Sequence, residues 1–95
     1  MQCGAVLATM RSKRVLTLFS SPSCSLCVPV KEVLAEAVAA SEGTLELRVV
    51  DISARENIAA FRLYKHDIPV VLLDGVELAR HRLTQEQLRQ GLERS

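Results

Sequence analysis

The chain has 95 residues, 48% of them hydrophobic, and a formal net charge of +1. That size and apolar share describe one folded domain and exclude a disordered chain. A charge so near zero points to neither nucleic acid nor an acidic membrane as partner, and three cysteines are too few and too odd for a secreted disulfide scaffold.

In chain order, residues 1–13 show no sustained period and are expected to form a flexible extension ahead of a domain spanning 14–95. Gly4–Ala8 is shorter than the ~7–15 residues of a signal-peptide core. An acid-free, arginine-containing start fits a disordered leader, or a start before Met10, better than a mitochondrial presequence. Cys3 reads as an incidental thiol. No apolar run approaches the ~20 residues of a membrane span.

Val15-Leu16-Thr17-Leu18-Phe19 is nearly continuous in apolar character, as in a strand buried on both faces. Ser20-Ser21-Pro22-Ser23 is a turn, with Ser23 placed as an N-cap. A helix to about Ser41 follows, its buried face marked by Val30, Val33, Leu34, Ala37 and Val38. Pro29 predicts a kink or an irregular first turn, and Gly43 suits a C-cap. Leu45–Val50 reads as a strand with one face partly wet. Asp51 and Ser53 are candidate caps for a short helix over 54–64, with Ile58 and Phe61 turned inward. Ile68-Pro69 ends helical structure.

Strands Pro69–Leu73 and Val76–Arg80 flank Asp74-Gly75, whose residues supply the positive φ angles of a tight primed hairpin turn. The last helix begins at Thr84, with Gln87 completing a capping box and Leu83 and Leu88 a hydrophobic staple. Leu88 and Leu92 mark its buried edge. The order β-α-β-α-β-β-α predicts an α/β sandwich: a mixed four-stranded sheet, its first β-α-β closing right-handed into a parallel pair, with helices on both faces.

Cys24-Ser25-Leu26-Cys27 carries the chemistry. The pair sits between the first strand and the first helix, where partial positive charge and free N–H groups favour a thiolate. The thiolate is the reactive form of cysteine, and C-x-x-C sites lower thiol pKa. Two other readings compete: small side chains filling a core, and metal ligation. Zinc wants four ligands, and His66 and His81 lack the short spacing of zinc histidines. Position favours redox work, and no metal site is expected within one chain.

This order, with C-x-x-C at the first strand-to-helix turn and Ile68-Pro69 entering the third strand, resembles the thioredoxin fold, and within it the small glutaredoxin-like proteins. The carrying residues are Leu16–Phe19, Ser23–Cys27, Val50-Asp51-Ile52 and Tyr64–Val71, and the match spans about Val15 to Leu92. The resemblance implies a thiol–disulfide oxidoreductase of electron transport and cell redox homeostasis, reducing disulfides or mixed disulfides. Cys24 would be the exposed nucleophile and Cys27 the resolving thiol. Pro69 would be a cis-proline facing them, and Ile68 would offer backbone groups to a bound peptide or glutathione. Arg62 and Lys65, with Lys31 and His66, are candidates for a cationic rim; ordinary solvated helix charge is the competing reading. The resemblance also implies no tightly bound cofactor, glutathione as reductant, a protein disulfide or glutathionylated protein as substrate, a monomer, and an intracellular setting, cytoplasmic or mitochondrial. An iron–sulfur cluster carrier and a non-catalytic thioredoxin-fold binding module are the alternatives. The chain departs from glutaredoxins at Ser21, where they usually have lysine, and at Arg80-His81-Arg82, where they usually have paired glycines and an acid. Glutathione use therefore stays open.

Overall fold

The computed structural model describes residues 13–94; Cys3 and all but the last residue of the expected extension lie outside them. Strands β1 (Arg14–Ser20), β2 (Leu45–Asp51), β3 (Val70–Leu73) and β4 (Val76–Arg80) alternate with helices α1 (Cys27–Ala40), α2 (Ile58–Tyr64) and α3 (Gln85–Arg94) in the expected order. A 3-10 turn, Arg55–Asn57, leads into α2. The sheet runs β2-β1-β3-β4. β1 is parallel to β2, with Ser20 opposite Asp51, and antiparallel to β3, with Leu16 opposite Leu73 and Phe19 opposite Val70.

Leu16 and Leu18 share one face of β1 because strand side chains alternate, and both are fully buried. They meet Val71 and Leu73 of β3, Val30 and Leu34 of α1, and Leu83 and Leu88 at the start of α3. At Gly91, α3 approaches β4 so closely that an added Cβ would overlap the Leu78 side chain. The opposite face of β1 is thinner. Val15, Thr17 and Phe19 are only half-buried, because the seven-residue α2 is the cover that reaches them, through Tyr64 stacked 4.6 Å from Phe19. The expected two-sided burial of β1 is therefore complete on one face only.

The rotation of α2 overturns one expectation. Ile58 and Phe61 point outward, 51% and 37% exposed. The Asn57 side-chain amide donates to the Asp51 carbonyl at 2.9 Å, which fixes the helix at its entry and turns Asn57, Ala60 and Tyr64 inward at three- and four-residue spacing. Caps also differ. Asp51 Oδ1 accepts from the Ser53 N–H and hydroxyl instead of capping a helix. Ser23 caps nothing: α1 starts at Cys27 after Leu26, and Ser23 Oγ lies 3.4 Å from Ser21 Oγ. Helix α1 ends before Gly43. The Ser41 hydroxyl donates to the Val38 carbonyl at 2.7 Å, and Glu42 is the first left-handed residue, at φ 54°.

Two local expectations hold. Asp74 and Gly75 have φ of 52° and 86° at the hairpin turn. Thr84 N–H donates to Gln87 Oε1 at 2.9 Å while Gln87 N–H donates to Thr84 Oγ1 at 3.0 Å, a reciprocal capping box with Leu83 and Leu88 buried beside it. Among the described residues, no helix is long and apolar enough to cross a membrane.

Candidate functional site

From the end of β1 the chain enters α1 through a run of four-residue turns. Cys24 N–H donates to Ser21 O at 3.1 Å, Cys27 N–H to Cys24 O at 3.3 Å and Val28 N–H to Ser25 O at 3.3 Å. This is the irregular entry expected from Pro29. The proline itself is the third residue of α1, where a backbone donor has no partner within the helix in any case. The tight turns hold the Cα atoms of Cys24 and Cys27 5.4 Å apart and join the two sulfurs as a disulfide, a separation typical of such bonds.

The two cysteines differ in access. Cys27 is 5% exposed, whereas Cys24 is partly open to solvent. No acidic residue occupies the first turn of α1, so the helix itself sets no carboxylate against its positive end. A groove of about 310 Å³ opens beside the pair, lined by Leu18, Ser20, Cys24, Cys27, Lys31 and Asp51 among others. Lys31 lies four residues beyond Cys27, on the same face of α1. Asp51 ends β2 with Oδ1 held by Ser53. A cation and an anion thus share the groove that holds both sulfurs.

Ile68-Pro69 is a cis peptide bond, as the resemblance implied, and Pro69 is fully buried. Since Val70 pairs with Phe19, Pro69 sits at the sheet edge from which the cysteine turn departs. The Pro69 carbonyl accepts the His81 N–H at 2.7 Å. Asp67 receives Arg80 at 2.9 Å and lies 3.4 Å from His81 Nε2. Arg80 also pairs with Glu77 at 2.6 Å and lies over the Tyr64 ring. The hydrogen bond from Arg80 holds the Glu77 carboxyl below its ordinary range and, reciprocally, raises the guanidinium.

Of the other expected site residues, Arg62 is exposed on α2, and Lys65 follows it with Nζ 5.6 Å from the Phe61 ring centre. His66 is exposed. None of the three lines the groove; Lys31 does. Its four-residue spacing from Cys27 is the signal that separates it from Arg62, Lys65 and His66. Asp51, read from the sequence as a cap, is the groove residue that reading missed. Among the described residues, no three His, Cys, Asp or Glu side chains gather into a metal-binding group.

Comparison with known proteins agrees with this geometry. A Glutaredoxin-like domain (DUF836) model matches residues 15–93. A glutaredoxin-like protein of Dictyostelium discoideum, the YDR286C homolog, is 31% identical over 80 residues, covering 82% of this chain and 74% of that protein. Two solved structures share the fold at 17% identity. One, described as a malarial protein, has a TM-score of 0.68 over 86% of this chain and 96% of its own. The other, thioredoxin-2 of the malaria parasite's protein secretion machinery, has a TM-score of 0.69 over 87% and 84%. A mixed sheet in thioredoxin order, a dithiol at the head of α1 and a family match across nearly all the described residues make one assignment: the chain belongs to the glutaredoxin-like domain (DUF836) family.

Proposed function

We propose that the protein is a thiol–disulfide oxidoreductase that reduces disulfides or mixed disulfides with the Cys24/Cys27 pair. The observation that carries this reading is the asymmetric disulfide at the head of α1, with Cys24 partly exposed and Cys27 buried. The Cys24 thiolate attacks a substrate disulfide, forms a mixed disulfide and expels one substrate thiolate. The Cys27 thiolate then attacks Cys24 Sγ, which restores the Cys24–Cys27 bond and releases the second thiolate. Two electrons pass to the substrate. A low-mass thiol, with glutathione as the first to test, reduces the pair again. The positive end of α1 and the neighbouring Lys31 support the thiolate.

Cys24→Ser is expected to abolish turnover, and Cys27→Ser to leave Cys24 trapped in a mixed disulfide visible by intact-mass spectrometry. Retained turnover in Cys24→Ser defeats the mechanism. So does a Cys24 thiol whose alkylation rate titrates near the free value of about 8.5.

A further inference from the structure

We propose that a second hollow, on the β4 side of the cysteine turn, selects polypeptide substrates with an acidic side chain beside the reacting cysteine, and that Arg82 is the residue that reads the charge. This rests on the oxidoreductase reading and names its substrate class. The hollow, about 280 Å³, lies between the cysteine turn and the chain leaving β4, walled by Leu26, Pro29, Val30 and Leu83, with His81 and Arg82 completing it. Neither cysteine lines it; Leu26, which directly precedes Cys27 and is 58% exposed, is the wall it shares with the cysteine turn.

Arg82 differs from its neighbour in having nothing to hold. Arg80 is occupied by Glu77 and Asp67. The Arg82 guanidinium makes no ion pair with any described residue, while Arg14, Arg48 and Arg89 all do. Its backbone is fixed nonetheless. His81 stands at φ 72° with its N–H on Pro69 O, and Arg82 N–H donates to Arg80 O at 2.8 Å. A free cation on an anchored backbone beside apolar walls suits a carboxylate on a short methylene stem. The groove lined by Lys31 and Asp51 lies on the opposite, β2 side of the turn. A groove that holds both cysteines and a hollow that begins at Leu26, one residue before Cys27, fit an extended chain crossing the turn, which commits the occupant to a polypeptide and not a low-mass thiol.

The test uses the full chain and three mixed disulfides of a cysteine peptide with 2-mercaptoethanol, the peptide carrying an acidic, a basic or an uncharged neighbour. The wild type is expected to favour the acidic peptide about fivefold in kcat/KM, the factor an exposed charge pair can supply. The difference should reside in KM and shrink in 0.5 M salt. Arg82→Glu is expected to reverse the preference while leaving turnover of the uncharged peptide and the melting temperature unchanged. Equal turnover of acidic and basic peptides by an active wild type overturns this proposal alone, as does an Arg82→Glu loss that is the same for all three. Turnover of none of them removes the oxidoreductase reading, and this proposal with it.

Discussion

Asp74 tests how the hairpin is tied to the central strand. Its Oδ1 accepts the Val15 N–H at 2.9 Å, its Oδ2 pairs with Arg14 Nε at 2.8 Å, and its own N–H donates to Val15 O at 2.8 Å. It does this at φ 52°, where aspartate and asparagine are tolerated and alanine is not. Asp74→Ala loses an acceptor that is charged, worth about 1.5–3 kcal/mol in general. The carboxylate is 43% exposed, so water screens it and the lower end applies. Adding roughly 1 kcal/mol for a left-handed alanine gives about 2.5 kcal/mol. Asp74→Asn keeps an acceptor oxygen and an ideal Asn-Gly turn and loses only the ion pair, about 0.5 kcal/mol. The two variants should differ by about 2 kcal/mol, or roughly 8–16 °C in Tm for a domain this small. Urea titration and thermal melts at pH 7 measure this. Variants that unfold within about 0.5 kcal/mol of each other refute the assignment of the stabilisation to the Val15 bond and the turn.

The same residue carries a pH dependence. The Val15 N–H, and then Arg14, hold the Asp74 carboxyl below its ordinary value. A carboxyl lowered by folding contributes stability that is fully present above its unfolded pKa of about 3.9 and is lost as pH falls through the folded value. Wild type is therefore expected to lose stability more steeply than Asp74→Asn below about pH 4, and parallel acid curves contradict this. Glu42→Gly relieves the left-handed backbone that ends α1 and should raise stability by about 1 kcal/mol, read as a higher urea midpoint; a lower midpoint counts against it. Thr84→Ala removes the acceptor for Gln87 N–H and should cost about 1 kcal/mol, with Thr84→Ser retaining most of the stability in the same titration.

What was legible in the sequence was the chemistry contained in a few consecutive residues. Asp74-Gly75 dictates its own turn, Thr84 and Gln87 cap their own helix, and the dithiol carries its spacing with it. The misreadings share a different cause. The face of α2 depends on Asn57 reaching back to the carbonyl of Asp51, so the apolar pattern of Ile58 and Phe61 did not decide it. The start of α1 moved to Cys27 because the chain from Ser21 to Val28 closes four-residue turns ahead of the α-helical bonds. The site's charges show the same limit. Arg62, Lys65 and Arg82 are equivalent as letters; tertiary placement sets Arg82 in the hollow beside Leu26, and Arg62 and Lys65 outside both hollows.

Stability at one end of the sheet therefore bears on chemistry at the other. The bonds between Asp74 and Val15 close the β1–β3 ladder at the edge away from the cysteines. From that anchor the register runs Leu16 to Leu73, Leu18 to Val71 and Phe19 to Val70, and so brings Pro69 to the edge that launches the cysteine turn. A slip of one residue would send Val71 and Leu73 out of the core and would carry Pro69 away from Ser20. The irregularity at Val71/Leu72 in the β3–β4 pairing then sets Arg80 opposite Val70, which delivers His81 to the Pro69 carbonyl and Arg82 to the hollow beside Leu26. The dithiol's neighbours are thus placed by strand register rather than by local sequence. For that reason Arg80-His81-Arg82, distant in the chain from Cys24, is where the substrate selection we propose would be most open to change.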